Sequence, residues 1–142
     1  NDVVLDDGNL DRPKLGSYIF GNSSAREKLN RITHPAVGEA FRQASASAQA
    51  AGEPALLYDV PLLYESNKEK EFQQVIVVWV PHQVQLERLI IRDGLSRQDA
   101  ETRLTSQLSL DRKRDRADHV IDNSGSLDTT RIQVEKLMTI FR

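Results

Sequence analysis

The sequence predicts an α/β fold built on a parallel sheet. Three observations carry this reading. Short, continuously apolar runs of strand length occur at Ala55 to Tyr58 and Val75 to Val80, and His119 to Ile121 reads as a third short strand. Segments of helical period separate them, and the first third of the chain is helical throughout. Strand, crossover helix, strand is the grammar of a parallel sheet. Three strands make a poor sheet of this kind, so further strands are expected upstream of Asn1.

Taken in order, residues 6 to 9, DDGN, form a turn, and Asp11 followed by Pro13 marks a helix N-terminus with Leu15, Tyr18 and Ile19 as its apolar face. Gly21 ends that helix, and Asn22 or Ser24 (with Glu27 three residues on) can cap the next, which runs to Thr33. His34-Pro35 reads as a boundary, because proline disfavours helix at the residue before it yet suits the first turn of a new one. A third helix then starts at Ala36, with Gly52 as its stop. After the strand at 55–58 comes DVPLLYE, a carboxylate, a proline, two leucines, an aromatic and a second carboxylate. Core strands do not need that punctuation, whereas a strand opening into a ligand crevice does. Val84, Leu86, Leu89 and Ile90 give a helix closed by Asp93-Gly94, and Ser96 with Asp99 resembles a capping box that starts one long polar helix from Arg97 to about Arg114. A turn at 122–125 precedes a last helix bearing Ile132, Val134, Leu137, Met138 and Phe141.

Composition excludes several function classes. At 142 residues the chain fits one domain that could bury roughly two thirds of its unfolded surface. A net charge of -2 with 28% charged residues suggests neither a general nucleic-acid binder nor a membrane-surface protein. The absence of cysteine removes disulfides, thiolate catalysis and cysteine-bound zinc. His34, His82 and His119 lie far apart and lack metal-ligand spacing. No apolar run approaches a membrane span and nothing resembles a signal peptide, so a cytoplasmic protein is expected. The dense basic cluster, Arg112, Lys113, Arg114 and Arg116, is interrupted by Asp111, Asp115 and Asp118; it reads either as a solvated helix end or as a face for RNA or another polyanion.

Each candidate site residue carries two readings when taken alone. Asp59, where a strand should end, could hold magnesium or simply cap a helix. Glu65 could cap or salt-bridge. Arg88 and Arg92 are one helical turn apart and could grip phosphate oxygens together, or pair with Glu87 or Asp93. Gln107 on the polar helix is anonymous. Asn123 could read a purine edge as donor and acceptor, or serve as a turn asparagine. His34-Pro35 and Asp11-Arg12 are most simply helix-terminus residues.

The ordered set is more specific than its parts. GNLDRPKLGSYIF, NRITHP, DVPLLYE, VQLERLIIRDGLSRQDAETRLTSQ and RADHVIDNSGS, in that order, resemble the dephospho-CoA kinases across essentially all 142 residues. The resemblance implies a parallel-sheet P-loop kinase fold, three-layer α/β/α, lacking its first strands. It also implies a helical substrate-binding part at 1–54, a nucleotide core at 55–92 and 117–142, and a helical lid at 93–116. The activity implied is phosphorylation of the ribose 3′-hydroxyl of dephospho-CoA by ATP with Mg2+, the last step of coenzyme A synthesis. By the same resemblance Asp11, Arg12, His34, Pro35, Pro61, Leu62, Leu63 and Glu65 face the acceptor. Arg88, Arg92, Gln107 and Asn123 serve ATP, with Arg88 the catalytic arginine, and no specific nucleic acid or membrane is a partner. The family's strand, G-x-x-x-x-G-K-[ST] loop and following aspartate, expected to act as the base, have no counterpart here. None of the seven glycines (8, 16, 21, 38, 52, 94, 125) is followed by lysine. The 142 residues are therefore expected to be an N-terminally truncated piece, inactive on its own.

Overall fold

A computed structural model describes residues 3–19 and 21–141; Asn1, Asp2, Phe20 and Arg142 lie outside the described residues. The chain divides into two compact units, Asn1–Leu56 and Leu57–Arg142.

The first unit is helical because its sequence caps helices well. The Asp7 carboxylate accepts from the Asn9 N–H at 2.9 Å and closes the first turn, after which Val4 and Leu10 form an antiparallel bridge. Helix α1 (Arg12–Ile19) starts where Asp11 Oδ1 accepts from the Lys14 N–H at 3.0 Å, satisfying one of the free amides of a first turn. Asn22 caps α2 (Ser23–Ala50) in the same way through the Ala25 N–H at 3.0 Å. Helix α1 packs on α2.

Helix α2 overturns the boundary expected at His34-Pro35, since Pro35 lies inside one continuous helix of 28 residues. Proline removes a single hydrogen bond, the one to the Arg31 carbonyl, at a cost of about 3 kcal/mol. The helix has compensation on both sides. Upstream stands the Asn22 cap, and downstream Glu39 accepts from Arg42 at 2.5 Å and Gln43 at 2.9 Å across single turns. Gly52, at φ +72°, takes the left-handed conformation that ends α2.

The second unit holds a two-stranded parallel sheet, β1 (Ile76–Trp79) and β2 (His119–Asp122), in register Ile76 to His119 through Trp79 to Asp122. The ladder is extended at both ends. The Val75 N–H donates to Asp118 Oδ2 at 2.8 Å before it, and the Asn123 N–H donates to the Trp79 carbonyl at 2.8 Å after it. The strand expected at 55–58 does not form. A strand exists only through a partner's hydrogen bonds, and no ladder reaches these residues among those described, where Leu57 is 81% exposed.

Between the strands, α3 (His82–Asp93) buries Leu86 and Leu89 against Ala100 of α4 (Arg97–Thr105), with Ile90, Leu95 and Leu104 around them. Gly94 at φ +64° closes α3, and Ser96 caps α4 through the Asp99 N–H at 3.1 Å. The single helix expected from Arg97 to Arg114 is broken. Helix α4 stops at Thr105, and a short α5 (Leu110–Arg114) begins under a Ser109 cap. The cause lies across the fold: the Leu108 N–H donates to Glu65 Oε1 at 2.9 Å instead of to a helical carbonyl. The Leu108 side chain packs on the cluster of Tyr64, Val75 and Val77. Helix α6 (Leu127–Met138), capped by Ser126, returns against β2.

Parallel sheets are normally covered on both faces. Here Val78 and Val120 remain 54% and 42% exposed. Leu86 is fully buried. Replacing Leu86 by Ala should lower unfolding free energy by about 2–5 kcal/mol, read as a shifted urea midpoint with unchanged slope.

Candidate functional site

The carboxyl ends of the two strands gather the most connected polar groups of the second unit. Arg88, on the exposed side of α3, reaches across the sheet edge to Asn123, just past β2. Its Nη1 donates to Asn123 Oδ1 at 2.6 Å and its Nη2 to the Asn123 carbonyl at 3.0 Å. The Asn123 Nδ2 in turn donates to Thr130 Oγ1 on α6 at 3.2 Å. One turn further along α6, the Gln133 amide holds β2 as another strand would. It accepts from the Asp122 N–H at 2.9 Å and donates to the Asp122 carbonyl at 2.8 Å. The Asp122 carboxyl, accepting from the hydroxyl and N–H of Ser124, is held below the usual carboxylate range.

A second network joins the 61–67 turn to α5. Lys113, with only 10% of its side chain exposed, donates to the Pro61 carbonyl at 3.1 Å and pairs with Glu65 Oε1 at 2.8 Å. Burial pushes the Glu65 carboxyl up, but Lys113 and the surrounding amides, including that of Leu108, outweigh it and hold the pKa below its ordinary value of 4.5. The rest of the basic run is also occupied. Arg114 lies over the Trp79 ring at 4.9 Å and bridges Asp111 and Asp115. Arg116 lies over Tyr64 at 4.5 Å and pairs with Glu69. Trp79 Nε1 donates to Asp111 Oδ1 at 2.8 Å, docking α5 onto the end of β1. Residues 112–116 are thus mostly structural, which disfavours the polyanion-binding reading. Arg112 lines an open cleft of about 300 Å³ together with His82, Gln85, Gln107 and Lys113.

The structure brings together some of the expected site residues and not others. Arg88 and Asn123 are in contact. Arg92 does not converge with Arg88 but forks onto Asp93, with Nε to Oδ1 at 2.7 Å and Nη2 to Oδ2 at 3.2 Å. Within DVPLLYE the roles divide. Pro61 offers its carbonyl, Leu62 is 46% exposed, Leu63 is half-buried against the core, Tyr64 is core, and Glu65 is the ion-pair partner. Asp59 is exposed, and the strand end that singled it out is missing. No group of three carboxylate or imidazole side chains suited to a metal occurs among the described residues. In the first unit Asp11 caps α1, Arg12 opens it exposed, and His34 and Pro35 line a shallow concavity of α2 with Glu27, Asn30 and Arg31. Lys113 and Thr130 escaped the sequence reading. Nothing local distinguishes a buried lysine inside a basic run, whereas the single Trp79 at a strand end was a visible signal of docking.

A family model described as dephospho-CoA kinase matches residues 1–129. The chain belongs to the dephospho-CoA kinase family. A dephospho-CoA kinase of Symbiobacterium thermophilum is 50% identical over 134 residues, covering 94% of this chain and 56% of the relative. One from Bacillus licheniformis is 47% identical, covering 96% and 68%, and one from Arabidopsis thaliana is 40% identical, covering 99% and 61%. Among solved structures, a Thermus thermophilus protein superposes with a TM-score of 0.74 at 25% identity over 99% of this chain and 71% of its own. The Campylobacter jejuni dephospho-CoA kinase gives 0.69 at 28% identity, over 98% and 69%. The chain therefore spans little more than half the length of the Symbiobacterium relative. These likenesses bear out the α/β kinase fold. No helix of the described residues is long and apolar enough to cross a membrane.

Two outcomes follow from the second network. A carboxyl held low in the folded state stabilises above its unfolded pKa, and that stability is lost as pH falls through the folded value. Glu65→Gln should therefore flatten the decline of stability below pH 4.5, its ordinary value, in unfolding curves taken down the acid limb. The Tyr64 hydroxyl is buried without a hydrogen-bond partner among the described residues. Tyr64→Phe should then leave stability unchanged or raise it by up to about 1 kcal/mol; a clear loss in thermal unfolding would show that the hydroxyl is satisfied.

Proposed function

We propose that these residues form the acceptor-binding part, the lid and a share of the nucleotide core of an enzyme that phosphorylates the ribose 3′-hydroxyl of dephospho-CoA with ATP. Membership of the dephospho-CoA kinase family over residues 1–129 is the observation that supports this most directly. In the reaction the 3′-hydroxyl gives its proton to the aspartate that the family carries after its phosphate loop, its oxygen bonds to the γ-phosphorus, the bond from that phosphorus to the bridging β-phosphate oxygen breaks, and ADP leaves with CoA formed.

On this reading residues 1–54 form the helical substrate region, and Asp11, Arg12, His34 and Pro35 bind the acceptor together with Pro61, Leu62, Leu63 and Glu65. Residues 55–92 and 117–142 belong to the nucleotide core and 93–116 to the lid. Arg88 neutralises charge on the transferring phosphoryl, the role in which an aimed arginine accelerates transfer by roughly 10³–10⁵. Arg92, Gln107 and Asn123 serve the ATP side. Arg88 stands past the carboxyl ends of parallel strands, where open α/β sheets take their ligands. Mg2+ would arrive with the ATP phosphates and offset their charge. The described residues offer it no cage of their own, and Asp59, single and exposed, does not make one. The enzyme is expected in the cytoplasm.

No G-x-x-x-x-G-K-[ST] loop occurs in the 142 residues, so the lysine and backbone amides with which such a loop cradles the phosphates are not among them, and Arg88 is left as a phosphate contact. Assayed alone with ATP, Mg2+ and dephospho-CoA, the chain should give no turnover; CoA formed above a no-protein control would overturn this. Binding should survive in part. Calorimetric titration should detect dephospho-CoA, and a chain indifferent to it would sink the acceptor assignment.

A further inference from the structure

The Thr130, Asn123 and Arg88 chain of hydrogen bonds carries more than its endpoints. A guanidinium only donates, so the Asn123 atom facing Arg88 must be the amide oxygen. The Thr130 hydroxyl has one proton, directed at the Ser126 carbonyl 3.2 Å away, and so accepts from Asn123 Nδ2. One of the two Asn123 Nδ2 hydrogens and one of the two Oδ1 lone pairs are thus spent inside the protein, which fixes the orientation of the amide.

Arg88 spends only part of its fork. Nη1 and Nη2 together take the two Asn123 oxygens, the side-chain and main-chain acceptors, along the outer end of the guanidinium. The lateral edge, Nε–H with the second Nη2 hydrogen, has no hydrogen-bond partner among the described residues and lies on an exposed side chain, and it is the edge that fits a pair of oxygens bidentately. Its anchor is rigid. The Asn123 backbone is tied to β1 by its N–H on the Trp79 carbonyl, and its neighbour Asp122 is clamped by Gln133.

We propose that Thr130, acting through Asn123, is a positioning residue that fixes Arg88 so that its Nε–Nη2 edge receives two oxygens of a polyphosphate. Resting on the kinase reading for the identity of that ligand as ATP, it assigns Asn123 to the nucleotide side as a support for Arg88.

The test uses the 142-residue chain, with Thr130→Val, which keeps the shape and removes the hydroxyl, and Thr130→Ser, which restores it. Inorganic tripolyphosphate is the probe, and NMR of the Arg88 Nε–H and Nη groups reports how firmly the guanidinium is held. The expected result is about fivefold weaker tripolyphosphate binding and faster Nη rotation in Thr130→Val, from loss of one neutral hydrogen bond, with both recovered in Thr130→Ser. Equal binding by Thr130→Val and the native chain, weaker binding with Arg88 equally ordered, or no binding by the native chain would each overturn the proposal. Tripolyphosphate bound in the expected pattern with dephospho-CoA ignored would instead overturn the acceptor assignment and leave this one standing.

Discussion

The parallel pairing of Ile76–Trp79 with His119–Asp122 is the constraint on which the rest of the second unit depends. Two parallel strands cannot be joined by a tight turn, so everything between them has to travel from the carboxyl end of β1 back to the amino end of β2. Helices α3, α4 and α5 are that return path. The same pairing sets Asn123 opposite the end of β1, where its N–H finds the Trp79 carbonyl. Arg88 on the first returning helix then meets Asn123, and Trp79 meets Asp111 on the last. The polar cluster at the strand ends is thus a consequence of sheet topology rather than of any local motif.

Charge in this unit is used for assembly as much as for recognition. Lys113 is nearly buried, and a buried ammonium is tolerated only when paired and hydrogen-bonded. Glu65 and the Pro61 carbonyl satisfy it, and Glu65 also takes the Leu108 amide. Because one carboxylate serves both partners, the 61–67 turn, the break between α4 and α5, and the buried lysine form one coupled element. Arg114 and Arg116 add cation–π contacts with Trp79 and Tyr64, each tying a helix-end charge to a core aromatic. A run that looks like a polyelectrolyte patch in one dimension is mostly internal wiring in three.

The helix starts were legible in the sequence. Asp11, Asn22 and Ser96 cap the helices they were expected to cap, because capping is a bond between a side chain and an amide two or three residues away. Strand β1, strand β2 and α3 were legible too, from apolar runs and period. Pro35, the 106–109 break and residues 55–58 were not. Pro35 was outweighed by hydrogen bonds summed over many turns, the break was imposed by a carboxylate more than forty residues away, and the strand lacked a partner.

The sequence by itself determined the local elements and, through five motifs in order, the family, since both depend on residues near one another in the chain. It also named Arg88 and Asn123 as candidates without relating them. That they hold one another, that Thr130 orients the amide between them, that Arg92 is spent on Asp93 and that Lys113 is buried were decided only by tertiary structure. Those facts turn on which donor meets which acceptor across tens of residues. A side chain's list of possible partners is written in its chemistry, but the choice among them is made by the fold.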